Sequence, residues 1–288
     1  MTWVERNRTH LDNIRSYIAG FQSHRPTVFR WFAGGEEPII PLAPESDRGT
    51  ALLLCFSALY QGVSEPRLMR LLAGLWREYG PEFLRLNKHP FEALQARIDS
   101  EPGLDNWSIR KQAPGILRSA SDFFHAHGRL LPWARGLGNG EECVRILSEE
   151  IFMMGKTSAF KSKPRYFLWL LTQLPDAQAA TFWGRETLLP ITPGHLRFLR
   201  EFGPLHGKKR SPWTTPEEKL AYVNRFFRLL SPEAPWSAYA ALDAYLKPGP
   251  AARKGPGVEL EKLWQCRRLL GGCLQCPMAP LCPGREET

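Results

Sequence analysis

The sequence has little cysteine until its end: of six, only Cys55 and Cys143 precede position 266. That scarcity excludes a small disulfide-stapled scaffold. Long apolar runs are also missing, since no stretch reaches the roughly 18 residues of a membrane span. The opening MTWVERNRTHLDNIRSYIAG has no apolar core of a secretory signal, so a soluble cytoplasmic protein is expected. Repeats and low-complexity segments are absent. Acidic residues are the minority charge, 29 Asp and Glu against 38 Lys and Arg, for a net +9 and an isoelectric point near 9.4. This balance favours a polyanionic partner, with nucleic acid the first choice. What the chain does have is length and apolar content: 288 residues, 43% hydrophobic, bury a sizeable core as one large or two modest domains.

The remaining four cysteines crowd into CRRLLGGCLQCPMAPLC, residues 266–282. In a reducing compartment such a group holds a metal rather than disulfides. Cys266, Cys273, Cys276 and Cys282 follow the spacing C-x6-C-x2-C-x5-C, with a single CxxC where a zinc ribbon would have two. An iron-sulfur cube needs four thiolates around a body larger than one zinc ion, and one short bite with two longer loops suits it. The expected cofactor is a [4Fe-4S] cluster. A four-cysteine zinc site is the other reading, and in both the role is structural.

The spacing resembles the cluster signature of the endonuclease III and adenine glycosylase branch of the helix-hairpin-helix DNA glycosylase superfamily. That resemblance implies an all-α fold in two lobes: a helical barrel over 46–174 that ends in a hairpin, and a cluster lobe formed by 1–45 with 175–288. In the family the loop between the first two cysteines is basic and lies on the DNA backbone, a place taken here by Arg267 and Arg268. RGTALLLCFSALYQGVSEPRLMRLLAGLWREYG reads as two helices joined near Gly62-Val63-Ser64. Gln61 then stands where the family inserts a glutamine into the stack vacated by the target base. Cys55, inside an apolar run, reads as a core residue, and Cys143 has no assigned chemistry.

Downstream, WSIRKQAPGILRSASDFFHAHGRL and GEECVRILSEEIFMM read as amphipathic helices. The segment MMGKTSAFKSKPRYFLWLLTQL occupies the place of the hairpin, with a helix starting near Pro164. A hairpin there offers backbone N–H groups to phosphate, with charge from Lys156, Lys161, Lys163 and Arg165. The family's LPGVGRKTA is absent, and the segment is more similar to a bacterial branch in which small residues and lysines precede an aromatic helix. The largest departure is LPITPGHLRFL, where the family has a Pro-Leu-Asp-Thr-His-like turn. Thr192 takes the helix-capping place, Pro193 the first helical position, and His195 matches the family's histidine after a one-residue shift. Thr192 lacks the carboxylate that stabilises an oxocarbenium-like transition state. Asp176 and Asp122 are the candidates for a relocated acid, and Lys161 and Lys163 for the family's lysine nucleophile or for phosphate binding.

The implied function is a DNA glycosylase, without lyase activity, that acts as a monomer on double-stranded DNA carrying a damaged or modified base. A catalytically silent damage-recognition protein and a redox-sensing DNA binder are the alternatives. PGPAARKGPG, residues 248–257, reads as a basic loop leading to the cluster.

Overall fold

A computed structural model describes residues 8–19, 26–82, 85, 89–174, 187–201, 203–205 and 212–246. These residues are mostly helical, with one isolated bridge between Phe32 and Ile40 and no strand among them. The chain divides into two compact units, Arg25–Pro190 and Met1–His24 with Ile191–Thr288. No helix among the described residues is long and apolar enough to cross a membrane.

The larger unit is built around α2 (Asp47–Leu59), in which every residue from Gly49 to Leu59 is buried. LLLCFSAL is apolar on all faces, so it can lie only at the centre of a unit. Ser46 caps it by accepting the Gly49 N–H at 3.0 Å. Gly49 itself is required, because a Cβ there would stand 2.1 Å from the Ala43 carbonyl oxygen. The helices α3 (Glu65–Tyr79), α5 (Ala113–His127), α6 (Leu130–Leu137) and α8 (Ser162–Thr172) pack on α2, with α4 (Phe91–Asp99) on α5 and α7 (Gly140–Glu150) on α8. Each apolar side chain they bury contributes about 1.5–3 kcal/mol before the entropic cost of ordering it.

Two sequence expectations change here. Residues 26–45 fall in the larger unit, not with the N-terminal arm. Their anchor is Glu65 at the start of α3, which accepts from Thr27 Oγ1 at 2.7 Å and from Trp31 Nε1 at 3.0 Å. The helix read from Trp107 begins only at Ala113. Trp107 is buried and turned to donate from Nε1 to the Gln61 carbonyl at 2.7 Å, and Pro114 is tolerated only in a first helical turn.

The smaller unit contains α1 (Arg8–Ala19), α9 (Pro193–Glu201), α10 (Pro216–Leu230) and α11 (Pro235–Leu246). The N-terminal helix packs on α10 and α11, and Arg15 donates to the Leu229 carbonyl at 2.9 Å. A capping box opens α10: Thr215 Oγ1 accepts the Glu218 N–H at 3.2 Å while the Glu218 carboxylate accepts the Thr215 N–H at 3.2 Å. The helix then buries Leu220, Val223, Phe226, Phe227 and Leu230.

Candidate nucleic-acid interface

In the larger unit the Gln61 turn and the lysine-rich segment are brought to one helix pair. α2 ends at Leu59, and Gln61 follows in an exposed bend with Gly62 at φ 66°. The residue between them, Tyr60, stacks its ring on Tyr166 of α8 at 5.7 Å between centroids and on Phe56 at 5.0 Å. Tyr166 in turn lies 5.4 Å from Trp169. Tyr166 is one helical turn beyond Lys163, so this aromatic column sets the glutamine turn against the helix that carries Lys163 and that the other lysines precede.

The segment between α7 and α8 is compact but is not a regular hairpin. Short turns close it, with Ser158 N–H on the Gly155 carbonyl at 3.0 Å and Lys161 N–H on the Ser158 carbonyl at 3.2 Å. Met153 (φ 56°) and Lys161 (φ 43°) are both left-handed, a conformation costing a non-glycine residue about 1–2 kcal/mol. Lys156 is exposed, while Lys161 and Lys163 are partly exposed. Lys163 donates to the Met153 carbonyl at 3.2 Å, and burial pulls its ammonium down to about 8.

The depressed value has a stability consequence. Between about 8 and the ordinary 10.5 the unfolded lysine holds a proton that the folded one has lost, so this group makes stability rise with pH across that window. Lys163→Met should flatten the rise, and reductive 13C-dimethylation should show one lysine resonance titrating near pH 8 in the native protein. A Lys163 resonance titrating with the bulk of the lysines would remove the effect.

Arg165 does not join these lysines. It is 4% exposed and points inward, where its guanidinium pairs with both oxygens of Glu141. It also donates to the Phe160 carbonyl at 3.1 Å and the Leu188 carbonyl at 2.7 Å, and Glu141 accepts the Leu188 N–H at 2.8 Å. A guanidinium taken out of water needs this set of acceptors, and buried on them it does not present itself to phosphate. The expected DNA contact of Arg165 is thus replaced by a buried tie between α7, α8 and the 187–190 segment. Burial pushes the Glu141 carboxyl up, but Arg165 and the Leu188 N–H outweigh it and hold the group below the usual range.

His195 is likewise no surface ligand. It is 1% exposed, in the first turn of α9. Its Nδ1 accepts the Thr192 N–H at 3.0 Å, and its own N–H donates to Thr192 Oγ1 at 3.4 Å. This is a capping box with histidine where glutamate usually stands. Because Nδ1 is an acceptor, Nε2 carries the hydrogen and donates to the Tyr239 carbonyl at 3.3 Å. Thr192 caps α9 as its sequence predicts, and Pro193 is the first residue of that helix.

Asp122 is exposed on α5 in a groove of about 470 Å³ lined also by Phe91, Arg118, Ser119 and Glu150. Ser119, one turn earlier on the same helix, accepts the Phe152 N–H at 2.9 Å, so the groove adjoins the lysine-bearing segment. Asp176, Arg267, Arg268, Cys266, Cys273, Cys276 and Cys282 lie outside the described residues. Sequence reasoning missed Tyr60, Tyr166, Glu141, Phe152 and Met153. Tyr60 and Tyr166 carried a usable signal, since each directly neighbours a singled-out polar residue, whereas the partner of Glu141 lies 24 positions away. No protein-family model, no curated protein and no solved structure matches the chain.

Proposed function

We propose that the protein is a DNA glycosylase: it binds duplex DNA, extrudes a damaged or modified base and hydrolyses the N-glycosidic bond. The observation that carries this reading is the Tyr60–Tyr166 stack, which sets the Gln61 turn and the lysine segment on one pair of helices. A glutamine able to fill a vacated stack and lysines able to hold phosphates then act on the same stretch of duplex. In the reaction, water adds to the sugar C1′ as the bond to the base breaks, and the base leaves with a proton. Asp122 is the described carboxylate offered for activating that water. The four C-terminal cysteines would hold a [4Fe-4S] cluster as a structural element, with Arg267 and Arg268 on the backbone.

Lys163 favours a second reading of the same site. A lysine pulled down to about 8 is in part a neutral amine near physiological pH, and a neutral amine can attack C1′ itself. The base would leave, the ring-opened sugar would remain as an iminium on Nζ, and strand cleavage would follow.

One assay separates these. The purified protein, incubated with duplexes carrying a panel of damaged and bulky modified bases, is expected to release free base and leave a strand that breaks only after alkali. Borohydride then traps nothing, and Asp122→Asn loses about a hundredfold in rate. Direct strand cleavage with a borohydride-trapped adduct that Lys163→Met abolishes would establish the second reading. Tight binding with no base released from any duplex would overturn both in favour of a damage-recognition protein.

A further inference from the structure

The backbone around Gln61 is held on both sides while its side chain is left free. The chain leaves α2 through an inverse γ-turn centred on Tyr60, at φ −71° and ψ 81°, in which the Gln61 N–H donates to the Leu59 carbonyl at 2.7 Å. The Gln61 carbonyl accepts from Trp107 Nε1, also at 2.7 Å. Gly62 follows at φ 66°, and a Cβ there would stand 3.4 Å from Ser108 Oγ, so the chain at 107–108 backs the bend directly. Gln61 is exposed, and among the described residues its carboxamide has no hydrogen-bond partner.

Trp107 is 5% exposed, so its role is exerted through what it holds. Its own place is fixed from two helices. Arg67, in the first turn of α3, donates to the Gly103 carbonyl at 3.0 Å. Arg110 ties the other end to α4, donating to the Asp99 carboxylate at 2.5 Å and to the Asp99 carbonyl at 3.2 Å. Between these ties the Trp107 N–H donates to the Leu104 carbonyl at 3.0 Å, and the Trp107 carbonyl accepts the Arg110 N–H at 3.1 Å. A buried indole N–H needs an acceptor. Here the acceptor is the carbonyl of an exposed glutamine 46 positions away, and the bond sets the plane of the peptide that follows the glutamine.

We infer that Trp107 is a positioning residue for Gln61: its indole N–H holds the bend so that the free carboxamide is presented in one orientation to a gap in a base stack. The inference deepens the function proposed above and rests on its reading of Gln61. A side chain on a preset backbone loses less freedom on entering such a gap, so the gain falls on a duplex that has lost a base and not on an intact one.

The test uses the full-length protein with an intact duplex and the same duplex carrying one tetrahydrofuran abasic site, a stack already vacated. The wild-type protein should prefer the abasic duplex by about tenfold, and Gln61→Ala should remove the preference. Trp107→Phe should cut it about fivefold, the value of one hydrogen bond, while keeping the salt dependence that phosphate contacts set. Added to Gln61→Ala, the same change should have no further effect on the preference, because the two residues act as one unit. Trp107→benzothienylalanine, which keeps the indole shape with sulfur in place of the N–H, should reproduce the loss at an unchanged melting temperature. The result then does not depend on how well phenylalanine fills the site. An analogue that keeps the tenfold preference overturns the positioning role, as does a Trp107 loss that falls equally on the intact duplex or adds to that of Gln61→Ala. Gln61→Ala with the preference intact, or a wild-type protein without one, overturns the reading of Gln61 as well.

Discussion

Cys276→Ala should give a colourless protein in poor soluble yield, where the wild-type chain should be brown with broad visible absorption and should carry iron and sulfide in equal amounts. Cys276 closes the single CxxC of the C-terminal group, the short bite that the other two thiolates complete. If the four cysteines hold the proposed cluster, removing one thiolate would leave a cube corner to solvent, and because binding energy at such sites is also folding energy, soluble yield should fall with it. Cys55→Ser and Cys143→Ser are the controls. Both thiols are buried, and burial pushes each up to about 12, so neither supplies a thiolate ligand at neutral pH. Cys143 is instead held in the fold, its Sγ directed at the Ala134 carbonyl at 3.7 Å. Both serine variants should stay brown. A colourless wild-type protein with one zinc per chain would overturn the cluster and leave the four-cysteine zinc site.

Periodicity and capping chemistry made the helices legible. α2 is apolar on every face, and the turn at Gly62-Val63-Ser64 separates it from α3 as the sequence indicates. Thr192 followed by Pro193 starts a helix because a hydroxyl cap and a fixed φ are local properties. The direction in which a charged side chain points is not local. Arg165 sits beside three lysines in sequence, yet a helix separates neighbours by about 100°, and the face it occupies is the one buried against α7. His195 was legible as the partner of a turn, but the acceptor its Nδ1 provides is needed by the Thr192 N–H three residues earlier, which draws the ring into the core. Trp107 fits an amphipathic pattern continued from α5, and only the Gln61 carbonyl, 46 positions away, explains why the chain leaves that pattern.

Glu141→Ala should destabilise the larger unit by about 3 kcal/mol, because the Arg165 guanidinium then stays buried without a counter-charge. For a unit of this size that corresponds to a fall of about 10 °C in melting temperature. The loss extends beyond the pair. Glu141 also accepts the Leu188 N–H, so the 187–190 segment comes free of α7. Close contact there is built in: a Cβ on Gly140 would lie 2.4 Å from Thr187 Oγ1. Replacing both partners by apolar side chains, Glu141→Leu with Arg165→Met, should recover only part of the stability, since the uncompensated charge is gone but the Phe160 and Leu188 carbonyls and the Leu188 N–H still lose their partners. The pH dependence follows from the sign of the shift. The folded Glu141 carboxyl lies below its ordinary value, so its contribution is complete above about pH 4.5 and is lost as pH falls through the folded value. Urea titrations from pH 6 to pH 3 should therefore show wild-type stability dropping more steeply than that of Glu141→Gln. Equal slopes would mean that Arg165 finds its compensation in the Phe160 and Leu188 carbonyls alone, and that the carboxylate is dispensable to the fold.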